Sequence, residues 1–130
     1  MLSKGLPLWI VIGGFTLPCV AGSVNAVGFL GAHHQALSHM SGTGTIFSTE
    51  LALNRLGPAL HAALVLGWFF LGCVLSGMII RREALKVGRR YGVALAIESG
   101  LLFAATYFLR HDSNFGDYLA AMACGLQNAM

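Results

Sequence analysis

Charge is what this chain has least of. Asp, Glu, Lys and Arg make up 10% of its 130 residues, well under half of the roughly 25% usual in soluble domains. Apolar residues reach 56%, and mean hydropathy is +0.72. A soluble globular domain is excluded, because so short a chain would need a polar shell that these few charges cannot supply. A disulfide framework is excluded too. The 3 cysteines, Cys19, Cys73 and Cys124, are odd in number and sit inside apolar stretches, where free thiols act as small packing residues. The first apolar run, which follows Lys4 and passes Cys19, Ala21 and Gly22, continues to Phe29 and Leu30. That is too long for the apolar part of a secretory signal, so the expectation is a retained span.

What the chain does have is a succession of charge-poor stretches of about 20 residues, the length a helix needs to cross a hydrocarbon core about 30 Å thick. They fall at 6–30, 59–80 and 91–109. A polar turn at Arg110, His111, Asp112, Ser113 and Asn114 then leads into a further apolar helix at 117–130, which stops before it would finish crossing. The expected fold is all-α: a polytopic transmembrane helical bundle forming one integral membrane domain over 1–130, with the lipid bilayer as its first partner and the cell membrane as its location. Arg81, Arg82, Lys86, Arg89 and Arg90 place most of the basic residues in one short loop, and the excess of positive charge predicts that 81–90 is cytoplasmic. A nucleic-acid partner is not expected from this cluster, since two apolar spans flank it and no aromatic platform is interleaved.

The segment 31–56 is more polar than a lipid-facing span. It holds three histidines, Ser38, Ser41, Thr43, Thr45, Ser48, Thr49 and Glu50, with Gly42 and Gly44 in the middle. Only a rough one-sided apolar pattern runs from Ile46 through Phe47, Leu51 and Leu53 to Leu56. Irregular backbone at membrane depth is tolerated where protein or a water-filled cavity surrounds it, so the preferred reading is a re-entrant loop and half-helix. The alternative is a full polar span at 38–56, which would place Lys4 on the outer side. The re-entrant reading keeps Lys4 inside, with 31–56 dipping in and returning on the outer side.

The string A-G-S-V-N-A at Ala21 to Ala26 recurs in altered form as C-G-L-Q-N-A at Cys124 to Ala129, sharing Gly, Asn and Ala at the same spacing. A partial internal repeat is a common transporter architecture; chance among Gly- and Ala-rich helices is the bland alternative. With A-G-S-V-N-A-V-G-F-L, S-H-M-S-G-T-G-T and A-C-G-L-Q-N-A in hand, the chain resembles the YoaK family of small multipass membrane proteins over nearly its whole length. The resemblance implies a fold of about six spans and names no reaction. It also implies that this chain corresponds to a first repeat and the opening of a second, a fragment of a longer protein. The sequence departs from the family pattern at Asn25, where an acidic residue is common, and at the extra Gly44 in Met40, Ser41, Gly42, Thr43 and Thr45, where the pattern is M-T-G-N-T.

Several polar residues fall where lipid would penalise them. Glu98 lies midway along a span and must face protein or water; it is either a proton- or cation-coupled group or a hydrogen-bonded link between helices. Asn25 and Asn128, related by the repeat, are structural glue or paired walls of a pathway joined by Gln127 and Ser23. Ser41, Gly42, Thr43 and Thr45 set hydroxyls and free backbone N–H groups at the expected mouth of a half-helix, suited to an anion, or form a tight turn in which Ser41 or Thr43 caps the helix. His33, His34 and His39 are read as ordinary interfacial histidines, because no Cys or carboxylate spacing completes a metal set. No cofactor is expected. Ala96, Gly100 and Ala104, Gly72 and Ser76, and Gly88 and Gly92 are expected packing seams, and Pro18 is expected to bend the first span.

The functional reading is a transporter or permease-like protein for an unknown small molecule or ion, with the shared polar site formed by Glu98, Asn25, Ser41, Gly42, Thr43, Thr45, Gln127 and Asn128. The competing class is a non-transporting scaffold or partner-binding subunit, motivated by the small-residue seam of Ala96, Gly100 and Ala104. An enzyme is not expected, since no nucleophile and base pair is recognisable. Unpartnered packing faces on the last helix, with polar Gln127 and Asn128, lead to the expectation of a homo-oligomer.

Overall fold

A computed structural model describes residues 7–31, 37–80 and 89–130. Lys4, His33, His34 and most of the basic loop 81–90 lie outside the described residues. Five helices account for nearly all of the rest: α1 (Leu8–Leu30), α2 (Met40–Ala52), α3 (Leu56–Ile80), α4 (Arg89–Arg110) and α5 (Phe115–Asn128). No strand occurs among the described residues. Within α1, α3 and α4, the stretches Ile10–Leu30, Leu56–Ile80 and Tyr91–Arg110 are long and apolar enough to cross a membrane. This is the pattern of an integral membrane protein.

Two helical hairpins organise the bundle, and both turn by the same chemistry. After α2, the Arg55 N–H reaches back to the Glu50 carbonyl at 2.8 Å and the Asn54 N–H to the Leu51 carbonyl at 3.0 Å. After α4, Ser113 bonds Phe108 and Asp112 bonds Leu109, at 3.1 and 3.2 Å. Each is a Schellman closure that satisfies carbonyls a helix end would otherwise orphan, and it needs a left-handed residue just past the helix. Asn54 at φ 56 and Asp112 at φ 51 fill that position, the short polar side chains being the non-glycine residues that tolerate it best. Asn54→Gly is therefore expected to be neutral, whereas Asn54→Val should cost about 1–2 kcal/mol, read as the difference in unfolding free energy in detergent.

The span expected from residue 59 begins at Leu56, so Pro58 lies inside the first turn of α3, where its missing N–H removes no helical bond. Pro18 also lies within a helix, and α1 is assigned as continuous through it.

Helix α5 is the hub. It packs chiefly on α3 and α4, and nine of its 14 residues are buried. The order of contacts gives the directions: His61 meets Asp117 and Tyr118, Trp68 meets Phe115 and Tyr118, and Phe69 meets Gly125, so α3 and α5 run parallel. Glycines permit the closeness, with Gly72 against the backbone of Met122 and Leu126 and Gly125 against that of Phe69. The Gly72 and Ser76 seam is thus buried as expected. The seam of Ala96 and Gly100 is exposed, and the buried stripe of α4 is Ala94, Glu98 and Ala105, on the opposite face. The bare faces expected on the last helix are filled by α3 and α4, and the helix with least cover is α1.

The segment after α1 turns back into the bundle. Gly31 shares a small cavity with Asp112 and Ser113, so the end of α1 lies at the same end of the molecule as the α4–α5 turn. Leu37 is already in the core with Val65, Ala105 and Leu119 to Ala121. Ser38 is held beside α1, its N–H donating to Asn25 Oδ1 at 2.6 Å and its hydroxyl to the Ala21 carbonyl at 3.3 Å. From that depth α2 climbs back toward the Asn54 turn. At 13 residues it is about 20 Å long, too short to cross the core. The path is that of a re-entrant half-helix.

Candidate functional site

The tip of this re-entrant segment faces the end of α5 across a groove. Leu17, Pro18, Ala21, Gly22, Ser38, His39, Cys124, Gln127 and Asn128 line about 470 Å³ of space. Ala21 and Gly22 belong to the first copy of the repeated string, and Cys124, Gln127 and Asn128 to the second. The two copies therefore meet as opposing walls, at a depth set by the middle of α1. The Gln127 side-chain amide donates to the Leu17 carbonyl at a long 3.5 Å, so it is weakly tied and available to a ligand. Asn128 is exposed to the groove side, and His39 is exposed at the start of α2.

Asn25 holds the tip in place. Its carbonyl oxygen accepts the backbone N–H of Ser38, so the amide positions the re-entrant segment and contributes to the groove through Ser38 and His39. An amide oxygen is sufficient for this bond; no carboxylate is required.

The rest of the expected site is spread along α2. The helix begins at Met40 with His39 at its N-cap, and no side chain caps it, so neither Ser41 nor Thr43 serves that purpose. Ser41 is exposed, Gly42 is partly covered, Thr43 is fully buried and Thr45 is exposed. Thr45 donates its hydroxyl to the Ser41 carbonyl and Ser48 to that of Gly44, at 3.0 and 2.9 Å, satisfying these groups inside the helix. None of the four lines the groove.

Glu98 is buried, 6% exposed, on the face of α4 that meets α5. Its Oε2 finds no hydrogen-bond partner among the described residues. Cys124 of α5 lines the groove. Glu98 is outside the lining of the groove, as is Asn25.

A second polar cluster was missed by sequence reasoning. Asp117, 2% exposed, presents Oδ2 to His61 Nε2 at 3.3 Å, and the other ring nitrogen of His61 meets the Tyr118 hydroxyl at 3.0 Å. Trp68 stacks on Tyr118 at 6.2 Å and meets Phe115 edge-on at 5.5 Å, enclosing the cluster in aromatic surface. The usable signal was a histidine in the second turn of α3 and an aspartate in the first turn of α5, each in an otherwise apolar helix.

With this geometry described, the relatives can be placed. Residues 13–130 match a family described as protein of unknown function, DUF1275. The chain belongs to that family. No curated protein and no solved structure matches it, so the site of this DUF1275 chain rests on its own chemistry. Among the described residues no group of three or more His, Cys, Asp or Glu is placed to hold a metal ion.

Proposed function

We propose that this chain is a permease-like protein of the YoaK type, carrying a small polar solute across the cell membrane through the groove between the re-entrant tip and α5, with 81–90 on the cytoplasmic side. One observation carries the reading: at mid-depth of a bundle with three span-competent helices, Ser38, His39, Gln127 and Asn128 converge on a groove of about 470 Å³, within the roughly 300–1,000 Å³ of small-molecule sites. Polar groups at that depth are costly unless they are used. Amides and an imidazole suit a solute that both donates and accepts hydrogen bonds, and the buried Glu98 supplies a carboxylate able to couple uptake to protons.

The test is uptake by proteoliposomes of a panel of labelled amino acids, sugars, nucleosides and organic acids. The Gln127→Ala/Asn128→Ala double variant is expected to lower transport of the accepted class by about tenfold or more while the protein stays folded, the loss of two hydrogen bonds to a bound solute being worth about 1–3 kcal/mol. Uptake undiminished in that variant would reject the groove.

A second reading, a scaffold that oligomerises or binds a partner, is favoured by the exposed Gly92, Ala96 and Gly100 on the outer face of α4 and by the sparse packing of α1. Cross-linking through cysteines placed at Ala96 and Gly100 distinguishes it, since only an α4-mediated assembly brings those positions together.

A further inference from the structure

The His61, Asp117 and Tyr118 cluster lies apart from the groove, and none of its three residues lines it. The imidazole has a different partner at each ring nitrogen: the Asp117 carboxylate at Nε2 and the Tyr118 hydroxyl at Nδ1, at 3.3 and 3.0 Å. With the ring neutral and hydrogen on Nε2, Nδ1 accepts from the phenol, and Nε2 lies 3.3 Å from the Asp117 carboxylate without the alignment of a hydrogen bond. When a proton binds Nδ1, the ring becomes an imidazolium, and the Tyr118 hydroxyl rotates from donor to acceptor without any heavy atom moving. The imidazolium and the Asp117 carboxylate then face each other as an ion pair, and the proton belongs to the pair rather than to either residue.

There is also a way in. Asp117 lines a cavity of about 90 Å³ with Val27, Gly28, Gly31, Leu109, Asp112 and Ser113. That is room for several waters, each needing roughly 10–15 Å³. Asp112 and Ser113 belong to the turn at the end of the bundle, so the cavity joins the buried carboxylate to the surface there. We propose that His61, Asp117 and Tyr118 form a proton-loading site, filled through this cavity from the end of the bundle that carries the Asn54 and Asp112 turns.

The other charged or titratable groups at that end, among the described residues, are as follows. On α2, Glu50 pairs with Arg55 of the following turn at 3.7 Å. The last turns of α4 carry Tyr107, Arg110 and His111, with Tyr107 and His111 in ring contact at 4.7 Å, and Asp112 stands in the cavity. Among the described residues α1 brings only Cys19, which lines a different groove.

Trp68, stacked on Tyr118, is a built-in reporter. The chain has 2 tryptophans, so Trp9→Phe leaves Trp68 alone. In lipid nanodiscs its fluorescence should follow a one-proton curve over the pH range in which the chain stays folded. His61→Gln and Asp117→Asn should abolish that curve, Tyr118→Phe should move its midpoint, and Glu98→Gln should leave it in place. Histidine-selective ¹⁵N NMR of the unsubstituted chain supplies a readout that needs no variant to fold: His61 should pass from one protonated ring nitrogen to two over the same range. A His61 ring that keeps one protonation state throughout, or a fluorescence curve that persists in both His61→Gln and Asp117→Asn, would overturn the assignment.

Discussion

Gly125→Val is expected to leave little or no folded protein, and Gly125→Ala to destabilise it by about 2 kcal/mol or more, read as the shift in the unfolding midpoint when denaturing detergent is titrated into mild detergent. A Cβ on Gly125 would collide with the Phe69 carbonyl oxygen and lie 2.8 Å from the Phe69 carbonyl carbon. The obstacle is main chain inside a helix, which has no rotamer to give. Gly72 makes the reciprocal approach, its Cβ meeting the Met122 carbonyl and lying 2.8 Å from the Leu126 nitrogen. Opening either contact separates α5 from α3 along their whole crossing, and with it the walls of the groove and the His61 to Asp117 pair. Gly100→Ala is the control. Nothing lies within 4 Å of a Cβ at that position, so alanine should be neutral or should stabilise by up to about 1 kcal/mol through helix propensity. Equal losses at Gly125 and Gly100 would mean that the crossing is not where the bundle is held.

That contrast also shows what was legible in the sequence. Span existence was readable because about 20 residues without charge admit few other structures, and the helices fall within a turn or so of the expected bounds at each described end. A half-helix within 31–56 was readable because its apolar pattern is too short for a span, and α2 runs from Met40 to Ala52. Which face of a helix packs was not. Small residues at a four-residue spacing mark faces that can approach closely, and α4 carries such a row at Ala96, Gly100 and Ala104. Yet α4 turns its Ala94, Glu98 and Ala105 stripe to α5, two residues and about 200° away. The choice is made by Glu98, whose carboxylate is penalised in lipid, so the acid selects the buried face; Ala96 and Gly100 are left outside, and only Ala104 packs against the core. The length of α5 misled in a similar way, since a short helix at the centre of a bundle is better covered than a long one at its rim.

The polar clusters differ in how much they depend on tertiary structure. Asn25 and Asn128 stood out through a shared string, and that string does form two walls of one groove. His61 and Asp117 did not stand out, because Asp117 follows directly on the polar turn at 110–114 and passes for a helix boundary, and His61 is one histidine in an otherwise apolar helix. Only the parallel packing of α3 and α5 makes them a pair.

Glu98→Gln and Glu98→Leu are expected to separate function from stability. In the native chain Glu98 Oε2 has no hydrogen-bond partner among the described residues, and the side chain is buried on the α4 face that carries Ala94 and Ala105. An ionised group held in such surroundings contributes nothing to the fold that a well-packed apolar side chain of similar size would not, and replacing it often stabilises by about 1–4 kcal/mol. Glu98→Leu should therefore unfold at the same or higher denaturant than the native chain, and Glu98→Gln within about 1 kcal/mol of it. Glu98→Lys, longer and cationic in the same space, should fail to accumulate, because a lysine at the centre of a span costs about 2.5–3.5 kcal/mol on insertion scales. If the carboxylate couples transport to protons, uptake of the accepted solute by the Gln and Leu variants loses its response to an imposed pH gradient by about tenfold or more, although both remain folded. If it is only a link between helices, the Leu variant is the one that loses stability, and the gradient response survives in the Gln variant. The two measurements move in opposite directions under the two readings, so a folded Leu variant with an intact pH response would dispose of both.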